Sequence, residues 1–102
     1  MGTVLYHRTT RQITQSIIQD GFRDGVGNYL TESTYAGVWF SDMPLDVNEG
    51  AKGDTLVRVT LDLSGEELLK YQWIEEGKLY REWLIPAVVV RKALRNIDVV
   101  ER

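Results

Sequence analysis

Residues 55–63, TLVRVTLDL, alternate apolar Val57, Val59, Leu61 and Leu63 with polar Arg58, Thr60 and Asp62. A period of two over this length is what a strand with one buried and one wet face requires, so the pattern predicts an antiparallel strand in mid-chain. Immediately after it, Ser64 stands three residues before Glu67, a capping-box spacing that predicts a short helix in SGEELLKY. Beyond the turn at EEGK, LYREWLI (79–85) sets Tyr80, Glu82 and Leu84 on one face and Arg81, Trp83 and Ile85 on the other until Pro86 interrupts, which puts Glu82 in the middle of a strand. AVVVRKAL (87–94) fits a strand or a short helix, and NIDVVE (96–101) closes the chain as a strand.

Toward the N-terminus, TVLYH (3–7) reads as a short strand rich in β-branched and aromatic residues. The following segment carries Ile13, Ile17, Ile18 and Phe22 at helical spacing, with Thr9 and Gln12 matching a capping box and Gly21 placed just past the end. From Asp20 to Gly37, glycines 21, 25, 27 and 37 alternate with polar residues, which predicts a long surface loop or a lid. GVWFSD (37–42) is a further strand stopped by Asp42 and Pro44, and PLDVNEGAKGD (44–54) has turn residues at both ends. One long early helix followed by short strands predicts an α+β fold of two packed, mainly antiparallel sheets, in a single domain over residues 1–102.

Composition narrows the function. The 102 residues suit one hydrophobic core, and no apolar run reaches the roughly 20 residues that span a bilayer. No membrane partner is therefore expected, and the first ten residues lack the basic start and apolar stretch of a secretion signal. The chain has no cysteine, which removes disulfides, thiol nucleophiles and cysteine-bound zinc together and fits a cytoplasmic location. Its single histidine cannot build a multi-histidine metal site, and no calcium-loop pattern of carboxylates is present, so no metal is expected. With a net charge of -3 and dispersed Lys and Arg, the broad basic footprint of a nonspecific nucleic-acid binder is missing.

Three features on strands can carry chemistry: His7, the step Trp39-Phe40-Ser41, and Glu82. Each also has a structural explanation. His7 can be a strand-end residue bonded to backbone, and one of Trp39 and Phe40 must face the core because adjacent strand residues point to opposite sides. Glu82, set among Tyr80, Trp83, Leu84 and Ile85, must face solvent, pair with a cation such as Arg58 or Arg81, or line a cleft.

Taken in order, these segments resemble the ADP-ribosyltransferase superfamily, in its diphtheria-toxin and poly(ADP-ribose) polymerase branch, known for a His, Tyr, Glu triad on three separate strands. LYHRTT (5–10) followed by a helix and DGF (20–22) is similar to the branch's first block, GVWFSD resembles its Gly-Ile-Tyr-Phe-Ala-Asp block, and LYREWLI resembles its Tyr-x-Glu-Tyr block. Trp39 stands where the branch has tyrosine and Arg8 where it has glycine. The resemblance implies a small ADP-ribosyltransferase-like fold, with NAD as substrate and an unidentified protein or nucleic acid as acceptor of ADP-ribose. It implies a catalytic Glu82 that stabilises an oxocarbenium-like transition state, a His7 that bonds a ribose hydroxyl, and a Trp39 that stacks on nicotinamide. Arg8, Thr9, Ser41 and Tyr35 complete the implied NAD site: Arg8, Arg11 or Arg23 toward the pyrophosphate, Thr9 or Ser41 through a hydroxyl, and either Tyr35 as the second stacking ring or one stacking face absent.

Two other functions fit the same residues. RNA 2'-phosphotransferases share the superfamily's fold and a similar first block, but rely on several arginines and a larger RNA-binding part. A nucleotide- or partner-binding domain that has lost turnover is the other, motivated by Trp39 and Arg8 at altered positions.

Overall fold

The mid-chain alternation forms the strand it predicts, Thr55–Leu61, in which Val57, Val59 and Leu61 are fully buried and Arg58 is exposed. This is a finding from a computed structural model that describes residues 2–23, 25–28, 34–44, 53–74, 77 and 79–101, and the side chains of these except 25–28, 34–36 and 101. In chain order the elements are β1 (Thr3–Thr9), α1 (Arg11–Asp20), β2 (Gly25–Asn28), β3 (Thr34–Ser41), β4 (Thr55–Leu61), α2 (Gly65–Leu69), β5 (Gln72–Trp73), β6 (Glu82–Ile85), α3 (Ala87–Ala93) and β7 (Leu94–Glu101).

The fold is α+β, with an antiparallel sheet in the order β5-β6-β3-β1-β4-β7 and β2 paired to the first half of β3. The two packed sheets expected from the sequence are here one sheet with a narrow waist. β1 and β4 are in register from Thr3↔Leu61 to Thr9↔Thr55, whereas β1 meets β3 at the single pair Tyr6↔Ser41. Past that pair, toward Thr9 on β1 and Gly37 on β3, the two strands are not laddered to each other.

One sheet face carries the core. Leu5, Val38, Phe40, Val57, Val59, Leu61, Trp83 and Ile85 cluster there with Ile17 of α1, Leu68 of α2 and Ala87, Val90 and Ala93 of α3. Strand alternation gives the sheet positions, and in α3 the i, i+3, i+6 spacing settles the ambiguous AVVVRKAL as a helix behind Pro86. α2 has the capping box read from the sequence: Ser64 Oγ accepts from the Glu67 N–H and Glu67 Oε1 from the Ser64 N–H, each at 3.1 Å.

Three local expectations change. The cap of α1 is Thr10, whose hydroxyl accepts from the Ile13 N–H at 3.1 Å, because β1 runs on through Thr9. α1 then packs through Thr14 and Ile17, leaving Ile13 and Ile18 exposed. The glycine-rich stretch after Asp20 is not loop throughout, since β2 pairs with residues 34–37; the link at 29–33, like residues 45–52 of PLDVNEGAKGD, lies outside the described residues. Among the described residues no helix is long and apolar enough to cross a membrane.

Candidate functional site

The waist of the sheet sets the site. Where β1 and β3 diverge, the carbonyl of Trp39 has no β1 amide opposite it, and a side chain takes that place: His7 Nδ1 lies 2.7 Å from Trp39 O. A carbonyl oxygen only accepts, so Nδ1 carries the proton and, in the neutral ring, Nε2 is an acceptor. The ring is wedged among Phe22 and Phe40, each with its centroid 5.7 Å from that of His7, and these two phenyls are 5.6 Å from each other. Burial in this aromatic nest lowers the His7 pKa from 6.5; the hydrogen bond to Trp39 opposes the shift without cancelling it. His7 is therefore neutral near pH 7, with Nδ1 committed to the backbone.

A cleft of about 390 Å³ opens at this divergence, lined by His7 and Thr9 of β1, Gly37, Val38 and Trp39 of β3, and Ile13, Ser16 and Ile17 of α1, with Gly21, Phe22 and Arg23 closing the end. His7 lines the cleft, and no other described polar atom is hydrogen-bonded to its ring. Among the described lining residues the cleft thus offers a ring nitrogen, an apolar floor and the Arg23 guanidinium, which lies 3.8 Å from the Asp20 carboxylate. Gly37 fits the β3 wall because its φ is 154° and a Cβ there would press on Leu84 and the Ile85 carbonyl.

Trp39 belongs to both sides of the sheet. Its carbonyl meets His7, but its ring, by strand alternation, lies on the face away from Phe40 and the core. There it packs edge-on against Trp73 of β5, with centroids 5.4 Å apart and planes at 79°. Glu82 shares this face: it opposes Ser41 on β3 and Trp73 on β5, while Leu84 opposes Trp39. Trp39, Trp73 and Glu82 are all half-buried. Glu82 begins β6 rather than standing in mid-strand, because Leu79 and Tyr80 form a bend and Arg81 is outside the ladder. The arginines named as its possible partners bind other carboxylates: Arg58 pairs with Asp98 at 3.4 Å and Arg81 with Asp42 at 3.3 Å.

No family model matches the chain, and no curated protein or solved structure matches it. The site is therefore described by its own geometry.

That geometry sorts the residues named from the sequence. His7, Thr9 and Trp39 come together at the cleft, with Thr9 buried. Glu82 is on a neighbouring strand but is not among the residues lining that cleft. Arg8 is half-buried on the opposite face of β1 from His7 and Thr9 and does not line the cleft either. The Ser41 hydroxyl is engaged in the turn, donating to Met43 O at 2.7 Å. Tyr35 pairs through its backbone with Gly27, and its side chain lies outside the described residues. Among the described residues no three His, Asp or Glu side chains are grouped as a metal site. Two contributors were missed from the sequence. Phe22 looked like an ordinary helix-face residue, and Trp73 sits in a strand of two residues, too short to show any period.

Proposed function

We propose that this chain binds NAD at the β1–β3 divergence and cleaves its nicotinamide–ribose bond, passing ADP-ribose to a protein or nucleic-acid acceptor. The observation that carries this reading is the His7 Nδ1–Trp39 O bond, which ties the first and second family-like blocks together at the mouth of a cleft and leaves His7 Nε2 to accept a ribose hydroxyl. The fold is then an ADP-ribosyltransferase-like one, with the waist as the boundary between two blocks of sheet. In the reaction the C1'–N bond breaks, its electron pair leaves with neutral nicotinamide, and the ribose carbon gains positive charge that the Glu82 carboxylate stabilises before the acceptor attacks and loses its proton. His7 orients the dinucleotide and transfers no proton.

A second reading, NAD binding without turnover, is favoured by one observation: Glu82 and the Trp39 ring lie on the sheet face away from the cleft floor. One experiment separates the two. Nicotinamide release from NAD is measured for the wild type and for Glu82→Gln, alongside equilibrium binding of NAD. Release that falls by about 100- to 1000-fold in the variant supports the transferase. Binding by both proteins with release by neither selects the binding module, and no binding by either removes both readings.

A further inference from the structure

Phe22 follows α1 in a stretch, residues 21–23, that belongs to no helix or strand, so no ladder fixes it. Its side chain is nonetheless 1% exposed, with the ring edge-on to that of His7 at 75°. Among the described residues its main chain takes one hydrogen bond, and the donor is remote: Arg91 Nη1 of α3 donates to the Phe22 carbonyl at 2.6 Å, 69 positions along the chain. α3 is a firm base for this reach, because Ala87, Val90 and Ala93 bury one side of the helix in the core. The glycine beside Phe22 makes room for the arginine. Gly21 has a φ of 87°, and a Cβ there would stand 3.0 Å from Arg91 Cδ and 3.4 Å from Cγ, so the stem of Arg91 runs where a side chain would be. Among the described residues no carboxylate is paired with Arg91, which leaves the Phe22 carbonyl as the partner of its guanidinium.

We propose that Arg91 is a positioning residue for the cleft: from a helix that does not line it, Arg91 holds Phe22, and through Phe22 the His7 imidazole. A charged donor makes a stronger bond to a carbonyl than a neutral one does, so this contact does for residues 21–23 what a ladder does for a strand. The phenyl it holds is one of the two that exclude water from the His7 ring. The inference rests on the NAD reading only for the identity of the ligand that the cleft takes.

Because His7 is the only histidine, its ring signals can be followed by NMR in the full chain as pH is varied. Around the ring, Phe22, Phe40 and, on β4, Val57 are uncharged, and Arg23, 3.8 Å from Asp20, is the charged side chain among the described residues lining the cleft. Three variants are compared with the wild type: Arg91→Leu keeps part of the stem but no donor, Arg91→Lys keeps a charged donor, and Lys92→Leu removes a charge from the next residue of α3. In Arg91→Leu the His7 pKa should rise toward 6.5 as water reaches a ring that Phe22 no longer covers. ADP-ribose should bind that variant about 2- to 30-fold more weakly. Arg91→Lys should recover part of both effects, and Lys92→Leu should match the wild type. A His7 titration unchanged in Arg91→Leu overturns the proposal. So does a rise that added salt removes or that Lys92→Leu reproduces, since either is a charge effect and not a loss of packing. If Arg91→Leu does not fold, Arg91→Lys decides: a partial rise supports the proposal and an unchanged titration overturns it. A wild type that binds no ADP-ribose removes the NAD reading and leaves the His7 titration to decide on Arg91.

Discussion

His7 and Trp39, 32 residues apart, are joined by a 2.7 Å hydrogen bond from an imidazole to a main-chain oxygen, at the point where two strands of one sheet part company. The bond does for this stretch what a ladder amide does elsewhere. Because the partner on β3 is backbone, the identity of residue 39 is irrelevant to the bond, whereas that of residue 7 is essential.

Replacing His7 by Ala leaves the Trp39 carbonyl without its donor and removes the ring held by Phe22 and Phe40. The expected cost is about 1–3 kcal/mol of folding stability, read by urea denaturation, with ADP-ribose binding weakened in parallel. Trp39→Phe keeps the His7 bond. A His7→Ala variant as stable as the wild type would mean that the bond contributes nothing.

The same histidine gives the stability a pH slope. In the unfolded chain its pKa is near 6.5, and burial lowers it in the fold. Above 6.5 both states are neutral and His7 adds no slope. As pH falls below that value the unfolded chain takes up a proton that the folded protein resists, so stability drops until the folded pKa is reached. Since His7 is the only histidine, wild-type urea midpoints should decline from about pH 7 to about pH 5 more steeply than those of His7→Gln. Parallel declines would count against a buried neutral ring.

Gly53 has a φ of 112°, and a Cβ there would collide with the Thr9 carbonyl, whose residue lines the cleft. Gly53→Ala should therefore destabilise by at least about 2 kcal/mol, seen as a lowered thermal midpoint. Gly65, at the start of α2, has no heavy atom within 4 Å of its would-be Cβ, and Gly65→Ala should be neutral or stabilising by up to about 1 kcal/mol.

Arg58 and Asp98 pair at 3.4 Å across β4 and β7, but their side chains are 45% and 46% exposed. Asp98→Ala should change stability by less than about 1 kcal/mol, and added salt should not widen the difference. A larger loss in urea denaturation would show that this edge pair holds β7 in register.

What the sequence made legible were features set by near neighbours along the chain. The alternation of β4 and the Ser64–Glu67 box are decided within a few residues, and both form as read. The segments bearing His7, Trp39 and Glu82 were legible for the same reason, and they do form strands that neighbour one another in the sheet. Which face each side chain takes was not legible, because it depends on pairings across 32 residues or more: Ser41 against Glu82 places Glu82 with Trp39 and away from His7. The one-residue shift of the α1 cap from Thr9 to Thr10 has the same origin, since β1 extends as far as its register with Thr55 allows. Trp73 became visible only through its contact with Trp39.

The waist at Tyr6↔Ser41 also determines what holds the two edges of the cleft together. Elsewhere in the sheet neighbouring strands are joined by a ladder, but β1 and β3 are joined by one residue pair, one imidazole bond and the core packed across them. The edges of the cleft at Thr9 and Gly37 are thus held to each other by side-chain packing and the His7 bond rather than by a backbone ladder.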